Sequence, residues 1–314
     1  MNLENKFFID NYLLTSPRYM SIEKKFLVVS DLHYHNNVNF GIYKLLIQKI
    51  SKIKPNYVLI PGDFIETIDI INLKDQRIKL ESIVKRISEI CPVIVIPGNH
   101  DFGNFSSIKD RLNLEKGNNF EYLTKSIEYF DSWNKFDNVY FLNNNQVTID
   151  DICFLGFNPD ISTYVKVGDK TINKIFIENY LKSGLKVDKN KYNILLTHSP
   201  LPLFEDNIKN SIDDFNNIDL FVTGHMHDGY LPKCLDKYFN NTNIGIFITP
   251  LVKPYPGLVC RGMHKYKRGY VFISQGFRKY THNNILFNFM ENFVANDIET
   301  ISIKKGEKCK VKKI

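Results

Sequence analysis

One stretch of the chain reads VIVIPGNHD, from Val93 to Asp101. Its first four residues form an apolar run that predicts a buried strand, and the Pro-Gly pair predicts the turn that ends this strand. An amide and an imidazole, Asn99 and His100, follow, with the carboxylate of Asp101 behind them. Because ligand sites in open α/β sheets form at the carboxyl ends of strands, the stretch indicates a site at one edge of a sheet.

Four further apolar runs end in the same kinds of residue. They lead into Asp31-Leu32-His33, Gly62-Asp63, Thr197-His198 and Gly224-His225-Met226-His227. A single block of this kind is as readily a polar cap at the end of a strand. Five of the chain's eight histidines fall in the five blocks, however, whereas chance placement would scatter them. Together, and in this order, the five blocks indicate one functional site.

Between residues 24 and 101 the predicted elements alternate between strands and amphipathic helices. The strands cover 26–30, 57–60 and 93–96, and the helices cover about 42–53 and 73–90. This β-α-β-α-β order predicts a parallel sheet with right-handed crossovers. Residues 5–22, ahead of it, predict an opening strand or hairpin.

Beyond residue 103 the pattern changes. A helical insertion is predicted over about 104–137, and short strands over 139–142, 146–149 and 152–156 predict a second sheet or a mixed edge. The later elements are a helix over 171–181 and strands over 193–197, 220–223, 269–274 and 297–303. No internal repeat or low-complexity linker divides the chain, so we predict a single domain over residues 1–314. The last eleven residues hold six lysines and predict a frayed, solvated tail.

The composition excludes several classes of protein. The net charge of +7, from 41 basic and 34 acidic residues, is mild. The five cysteines form no CxxC pair and are odd in number, which argues against a disulfide framework or a thiolate zinc site and fits a reducing compartment. No apolar run reaches the roughly 18 residues that cross a bilayer, and the N-terminus does not have the pattern of a signal peptide. We therefore predict a cytoplasmic protein.

The segment 228–268 is irregular and rich in proline and glycine. From Leu231 to Arg268 it carries seven basic residues against one acidic residue, with five aromatic residues interleaved. One interpretation is a cap that meets an anionic substrate, with Arg261, Lys265 and Arg268 as candidate phosphate-binding residues. The other is a solvated loop whose aromatic side chains pack on the body of the protein.

The residue types in the five blocks favour particular metal ions. Asp, His and Asn ligands without Cys suit Mn²⁺, Fe²⁺ or Fe³⁺, and Zn²⁺. Seven such side chains are too many for one ion, but they are enough for two ions that share a bridging carboxylate. Two ions about 3.5–4 Å apart can clamp the oxygens of a phosphoester and activate a hydroxide near neutral pH. A histidine beside the ions can then protonate the leaving group.

These blocks resemble the five motifs of the calcineurin-like metallophosphoesterases, from about residue 24 to residue 276. The resemblance implies an α/β fold, a four-layer α/β/β/α sandwich with two mixed β-sheets. It also implies two groups of metal ligands joined by a bridging Asp63. One group would be Asp31, His33 and His227, and the other would be Asn99, His198 and His225. In the same family pattern His100 is the general acid and Asp101 orients it.

Two departures from the phosphoprotein phosphatases of this family narrow the resemblance. Their Asp-Arg-Gly after the second motif is replaced here by Phe64-Ile65-Glu66, and their Glu after Asn-His is replaced by Asp101. The motifs are most similar to the bacterial branch that includes the cell-wall-associated phosphodiesterase and the UDP-diacylglucosamine pyrophosphatase. Relatives in that branch often carry a membrane anchor or export signal, which this sequence lacks, and this argues against a lipid substrate in the cell envelope.

We therefore predict a dinuclear phosphoesterase that uses Mn²⁺ in preference and acts on a small anionic phosphodiester or pyrophosphate. One alternative is a nuclease or cyclic-nucleotide phosphodiesterase. The basic segment permits a nucleic-acid partner, but the low net charge does not favour one. The other alternative is a scaffold that has kept the fold and lost the chemistry. The oligomeric state is left open.

Overall fold

The computed structural model describes residues 7–18, 22–35, 40–102, 118–164, 170–227, 261–277 and 296–314. Two β-sheets are present in this part of the chain, and their strands are numbered here in chain order. The first sheet contains β1 (Phe7–Ser16), β2 (Lys24–Val28), β3 (Tyr57–Pro61), β4 (Val93–Ile96), β5 (Val139–Phe141), β12 (Asn296–Lys305) and β13 (Lys310–Lys313). The second contains β6 (Asn145–Ile149), β7 (Ile152–Gly156), β8 (Tyr192–Leu196), β9 (Leu220–Thr223), β10 (Gly262–Tyr266) and β11 (Gly269–Ile273).

Both sheets are mixed. The first has the order β13-β1-β12-β2-β3-β4-β5, in which β2 to β5 are parallel and β12 is antiparallel to β2. The second has the order β10-β11-β9-β8-β7-β6, in which the four inner strands are parallel and both edge strands are antiparallel to their neighbours. The carboxyl ends of the parallel strands therefore lie together at one edge of each sheet.

The helices cover the outer faces of the sheets. They are α1 (Gly41–Ile53), α2 (Asp69–Asn72), α3 (Lys74–Ser88), α4 (Asn118–Asp131), α5 (Lys170–Lys182) and α6 (Asp206–Ser211). The helix α1 buries Tyr43, Leu46 and Ile50, which recur at the spacing of one helix face. A left-handed Lys54 ends this helix, and Pro55 follows it.

Three hydrophobic clusters show that the elements form four layers. Side chains alternate along a strand, so Leu27 of β2 packs outward with the helices α1 and α3 while Phe26 packs inward. The inward cluster joins the two sheets, since Phe26 shares it with Phe154 of β7 and Ile194 of β8. The third cluster lies between the second sheet and the helices α5 and α6. The order helix, sheet, sheet, helix confirms the predicted fold class.

The predicted insertion over 104–137 is helical where the structure describes it, and residues 103–117 lie outside the described part. The helix α4 continues into a short 3-10 helix, Ser132–Lys135, which carries Trp133. The Trp133 ring is fully buried and meets the Phe64 ring edge-on at 4.9 Å. Because Phe64 follows Asp63 in the chain, the helical insertion packs against the block Gly62-Asp63.

Two predictions about the ends of the chain need correction or completion. The lysine-rich end is not a frayed tail, because residues 310–313 form β13 and pair antiparallel with β1. Alternation explains the error, since Val311 packs on the inner cluster while the neighbouring lysines stay exposed. Of the two alternatives for residues 5–22, the described part forms one strand, β1, which pairs parallel with β12.

Of the segment 228–268, the structure describes only residues 261–268, and residues 228–260 lie outside the described part. The described residues are mostly in regular structure. Residues 262–266 form β10, the edge strand of the second sheet. Its register pairs Gly262 with Ile273 and Tyr266 with Gly269. The prediction of an irregular segment was therefore wrong for β10. Among the described residues, no helix is both long enough and apolar enough to cross a membrane.

Candidate metal centre

The five blocks converge between the two sheets. Asp31, His33, Asp63, Asn99 and His100 follow β2, β3 and β4 of the first sheet, whereas His198, His225 and His227 follow β8 and β9 of the second. Each block leaves the carboxyl end of a parallel strand, which is why residues far apart in sequence meet here. Most of these side chains are buried.

The first two blocks run side by side beyond the ends of their strands. The N–H of Asp31 donates to the carbonyl oxygen of Gly62 at 3.1 Å, and the N–H of His33 donates to that of Asp63 at 3.0 Å. Asp31, His33 and Asp63 all adopt left-handed backbone conformations, with φ of 56°, 41° and 52°. Such conformations are uncommon for residues with a side chain and cluster at functional sites.

The fifth block is equally constrained, and so is the contact between the second and fourth blocks. His225 and His227 have φ of 71° and 43°, and the N–H of His225 donates to both carboxylate oxygens of Asp31 at 3.2 Å. Gly62 has φ of 95°, and a Cβ atom at this position would lie 2.5 Å from Nδ1 of His198. The glycine before Asp63 is therefore required both by its backbone conformation and by the close approach of His198.

A first group of candidate ligands consists of Asp31, His33, Asp63 and His227, whose ligand atoms all lie within 4.8 Å of one another. The Nε2 atoms of His33 and His227 are 3.2 Å apart. Oδ1 of Asp31 lies 3.4 Å from Nε2 of His227 and 3.9 Å from Nε2 of His33. These nitrogens and oxygens point at a common position, as ligands of one ion do.

A second group consists of Asp63, His198 and His225. Oδ2 of Asp63 lies 3.0 Å from Nε2 of His198 and 3.7 Å from Nε2 of His33, so one carboxylate oxygen faces both groups. The rings of His198 and His225 meet edge-on at 5.1 Å. Asp63 therefore lies where a bridging ligand between two ions would be.

Asn99 supplies a further oxygen. Its side chain is 2% exposed, and its Oδ1 atom has no hydrogen-bond partner among the described residues. The next residue, His100, donates its backbone N–H to Oδ1 of Asp63 at 2.8 Å, which holds Asn99 close to the shared carboxylate. A buried acceptor without a partner costs free energy unless a ligand occupies it. The all-nitrogen-and-oxygen donor set and this free oxygen fit divalent ions.

Comparison with known proteins agrees with this geometry. The profile of the calcineurin-like phosphoesterase family matches residues 24–229, which contain all five blocks. The chain belongs to this family. The residues of the five blocks, which the structure brings together, all lie within the matched range.

The individual relatives of the chain are distant. It is 25% identical over 211 residues to the uncharacterized metallophosphoesterase Cj0846 of Campylobacter jejuni, an alignment that covers 66% of this chain and 45% of that protein. The chain thus spans less than half the length of this curated relative.

Two solved structures resemble the fold, both at low TM-score. A dimetal phosphatase from Danio rerio has a TM-score of 0.37 and 14% identity, with 65% of this chain and 82% of that chain covered. GAP50, the anchor in the inner membrane complex of Plasmodium, has a TM-score of 0.39 and 13% identity, with 82% and 72% covered.

Charges within the ligand groups are strongly coupled. Burial alone would raise the pKa of Asp63, but the neighbouring histidines, His198 foremost, hold it well below its usual value. Burial lowers the pKa of His198, but the Asp63 carboxylate outweighs it and raises that pKa to about 9. Burial lowers the pKa of His227 to about 4, which leaves this imidazole neutral at neutral pH. Asp63 and His198 thus stabilise each other's charged form.

Glu66 is a site residue that the sequence analysis did not identify. Its carboxylate oxygen lies 2.8 Å from Nδ1 of His33. A carboxylate that accepts a hydrogen bond at Nδ1 leaves Nε2 of the same ring for a metal ion and fixes the ring's orientation. Burial would raise the pKa of Glu66, but the hydrogen bond with His33 lowers it, so the residue is charged at neutral pH. The only sequence signal was its position three residues after Asp63.

Glu66 also contacts His100, through its backbone. The carbonyl oxygen of Glu66 lies 2.9 Å from Nδ1 of His100 and accepts a hydrogen bond from it. The rings of His100 and His33 meet edge-on at 4.7 Å, so His100 stands beside the first ligand group. Burial lowers the pKa of His100 below its ordinary value. Because the Glu66 carbonyl holds Nδ1–H, any proton that His100 exchanges is carried by Nε2.

The contacts of Asp101 do not match its expected role as the partner of the His100 ring. Its carboxylate accepts hydrogen bonds from the backbone N–H groups of Ile65, at 2.9 Å, and Gly98, at 2.8 Å. Its carbonyl oxygen accepts a hydrogen bond from Ser126 of α4. Asp101 thus joins the second block, the third block and the helical insertion. The group that orients His100 is the Glu66 carbonyl instead.

The basic candidates of the segment 228–268 separate in the structure. Because β10 runs antiparallel to β11, Arg261 lies beside the carboxyl end of β11, which is the end that faces the ligand groups. Lys265 pairs with Tyr270, and Arg268 lies in the turn at the opposite end of the sheet. Lys265 and Arg268 therefore do not approach the site, and only Arg261 stays a candidate for substrate binding.

Tyr164 is a second residue that the sequence analysis missed. It ends a short 3-10 helix, Ile161–Tyr164, and its ring lies 5.9 Å from the His198 ring and 5.5 Å from the His225 ring. The side chain is 5% exposed, and its hydroxyl has no hydrogen-bond partner among the described residues. Burial, with the negative charges of Asp63 and Asp101, raises the pKa of Tyr164, so the hydroxyl keeps its proton.

Proposed function

We propose that this protein is a dinuclear metal-dependent phosphoesterase that hydrolyses a phosphodiester or pyrophosphate bond. The observation that carries the proposal is the position of the Asp63 carboxylate, which belongs to both ligand groups at once. A carboxylate shared in this way is what a two-ion site requires, and two ions suit the displacement at phosphorus.

In this proposal Asp31, His33 and His227 hold one ion, and Asn99, His198 and His225 hold the other, with Asp63 between them. Two divalent ions would supply positive charge for the phosphoryl oxygens and make hydroxide available near neutral pH. We favour Mn²⁺ because neither ligand group contains a cysteine among the described residues to select zinc, and Fe²⁺, Fe³⁺ and Zn²⁺ are the alternatives.

His100 is the proposed proton donor. Its Nδ1–H is committed to the carbonyl oxygen of Glu66, so a proton for the leaving group must come from Nε2. Burial lowers the pKa of His100, and Nε2 therefore has to gain a proton before it can deliver one. An anionic substrate beside the ring favours that protonation, because opposite charges stabilise each other.

Within the family we propose the bacterial branch of phosphodiesterases and pyrophosphatases. Glu66 and Asp101, at positions where the phosphoprotein phosphatases differ, support this, because each makes a specific contact in the site.

We also propose one domain over residues 1–314, since β1, β12 and β13 from the two ends of the chain pair in one sheet. A reducing, cytoplasmic compartment belongs to the proposal, supported by free thiols at Cys91, Cys153 and Cys309.

The test is turnover by the purified full chain after chelation and reloading with one ion at a time. We expect Mn²⁺ to restore hydrolysis of bis-p-nitrophenyl phosphate better than Mg²⁺, which dehydrates reluctantly. We also expect this diester to be hydrolysed faster than p-nitrophenyl phosphate. Asp63→Asn should lose this activity, and the matched control is Asp150→Asn, the same chemical change at an exposed carboxylate, which should keep full activity. Loss of activity on chelation without rescue by any divalent ion would contradict the proposal, and a panel of nucleotides, dinucleotides and sugar pyrophosphates would define the substrate class.

A further inference from the structure

Two proton-bearing side chains flank the ligand groups on different sides. The ring of His100 contacts His33 of the first group, whereas the ring of Tyr164 contacts His198 and His225 of the second. The proposed function has a role for His100 and none for Tyr164. Packing alone does not explain a tyrosine here, because phenylalanine would fill the same space without burying a hydroxyl.

The hydroxyl group of Tyr164 indicates a role in binding. It is buried, and no described residue accepts or donates a hydrogen bond to it. A buried polar group without a partner costs free energy and usually marks the place of a ligand or an ordered water. The phenol is protonated at neutral pH, since its ordinary pKa is about 10. It therefore presents a hydrogen-bond donor beside His198 and His225.

The position of the Tyr164 ring indicates which chemical class of ligand its hydroxyl binds. Tyr164 lies next to the second ligand group, which also contains Asp63 and would carry the positive charge of an ion in the proposed function. An anionic oxygen is attracted to that charge and accepts hydrogen bonds from neutral donors at short range. A neutral donor has an advantage over a lysine here, because it adds no further positive charge to a site that already holds ions.

We propose that the Tyr164 hydroxyl binds the substrate, by donating a hydrogen bond to a non-bridging oxygen of the phosphoryl group on the His198–His225 side. This inference rests on the proposed function and adds a substrate-binding residue to it. Tyr164 performs no proton transfer in this role. The hydrogen bond forms with substrate and strengthens as negative charge gathers on the phosphoryl oxygens.

The experiment compares Tyr164→Phe with the wild-type protein, both as full chains loaded with Mn²⁺. Binding of inorganic phosphate is measured by calorimetry, which requires no turnover, and we expect it to weaken by about 10- to 100-fold, the usual effect of losing a hydrogen bond to a charged group. The kcat/KM for bis-p-nitrophenyl phosphate should fall by a similar factor. Metal content should stay unchanged.

A stability measurement separates this role from a structural one. Because the hydroxyl has no protein partner, its removal should leave the Tm of the metal-free protein equal to or above that of the wild type. The matched control is Tyr266→Phe, since Tyr266 also buries a hydroxyl without a partner among the described residues but packs in the cluster beneath the second sheet. This control should bind phosphate as the wild type does.

Three results would overturn the inference. The first is an unchanged phosphate affinity in a folded Tyr164→Phe protein. The second is a lowered Tm of the metal-free variant, which would indicate a structural role. The third is loss of an ion from the variant, which would make Tyr164 a metal ligand. These outcomes are distinct from failure of the proposed function. If the wild type hydrolyses no phosphoester, the proposed function fails, whereas the comparison of phosphate affinities still decides the role of Tyr164.

Discussion

Oδ2 of Asp63 lies 3.0 Å from Nε2 of His198, and this contact joins the two sheets. Asp63 follows β3 in the first sheet, whereas His198 follows β8 in the second. The other ring nitrogen of His198, Nδ1, donates to the carbonyl oxygen of Pro61 at 2.7 Å. The two ring nitrogens of His198 therefore both lie against the end of β3 and the residue that follows it, which fixes the imidazole beside Asp63.

The shared carboxylate predicts the behaviour of Asp63→Asn. The amide keeps the shape of the side chain but carries no negative charge, so we expect fewer than two ions per chain and a fall in activity of more than about 100-fold. Elemental analysis of protein reloaded with Mn²⁺ measures the metal content. Asp150→Asn, at the surface, should retain the wild-type metal content. Two ions bound to Asp63→Asn with wild-type affinity would refute the shared-carboxylate arrangement.

The placement of His100 predicts a dependence on the leaving group. General acid catalysis is typically worth about 10²–10⁴-fold when the leaving group is poor. His100→Ala should therefore lose most of its rate on a diester with an alkyl leaving group and little on one with p-nitrophenolate, which departs without a proton. Both ions should remain bound. Equal losses on the two substrates, or loss of an ion, would show that His100 holds the site together and does not donate the proton.

Much of the fold and site was predictable because both depend on local patterns. Apolar runs such as Val93–Ile96 define the parallel strands, and the polar residues at their ends define the site. The order of the five blocks then specified which residues meet, because carboxyl ends of parallel strands lie at the same edge. Candidate metal ligands of this kind can be proposed from sequence without knowledge of side-chain geometry.

The residues that were missed or misassigned act through contacts that sequence does not encode locally. Glu66 reaches His33 only because the blocks after β2 and β3 run side by side, and Tyr164 reaches His198 only because β7 and β8 are neighbours. Asp101 follows His100 in the chain, yet its carboxylate turns to backbone N–H groups of other residues. The position of Asp101 next to His100 in the sequence therefore did not reveal that the Glu66 carbonyl contacts the His100 ring.

The contacts of Glu66 predict two separable effects. Glu66→Ala removes the carboxylate at Nδ1 of His33 and should weaken metal binding by about 10- to 100-fold, as loss of such a partner usually does. The contact with His100 is made by the backbone carbonyl, which the substitution leaves in place.

The leaving-group preference of Glu66→Ala should therefore equal that of the wild type at saturating Mn²⁺, in contrast to His100→Ala. Glu66→Gln keeps an oxygen acceptor for the His33 N–H and should show an intermediate metal affinity. Metal affinity is measured by titration of chelated protein, and the leaving-group ratio is measured on the same preparations. A changed ratio in Glu66→Ala would show that the side chain also positions the proton donor.

Glu299 on β12 predicts a dependence of stability on pH that does not involve the metal ligands. Its side chain is fully buried, and its carboxylate accepts hydrogen bonds from the N–H of Gln275, at 2.8 Å, and the hydroxyl of Ser274, at 3.0 Å. Burial raises the pKa of Glu299 from 4.5 to about 8, and the nearby charges of Asp297 and Asp10 add to this. The native protein therefore holds a proton on Glu299 at neutral pH, while the unfolded chain does not.

The direction of the effect follows from this difference in proton binding. The raised pKa contributes stability that is fully present below about 4.5 and is lost as pH rises through about 8. Glu299→Gln mimics the protonated acid at every pH, so its free energy of unfolding, relative to that of the wild type, should increase with pH across this window. The increase is at most about 1.4 kcal/mol per pH unit for one proton.

Denaturant unfolding of the metal-free proteins between pH 5 and pH 9 measures this difference. Metal-free protein is used because bound ions would add their own dependence on pH. Lys313 is a basic group close to these acids, since its Nζ lies 2.8 Å from Oδ2 of Asp10. Lys313→Gln should leave the difference between the Glu299 forms in place or enlarge it, since it removes a positive charge that favours ionised carboxylates. Parallel stability curves for wild type and Glu299→Gln would mean that Glu299 ionises in the folded protein much as it does in the unfolded chain, with Gln275 and Ser274 supplying enough hydrogen bonding to stabilise its charge.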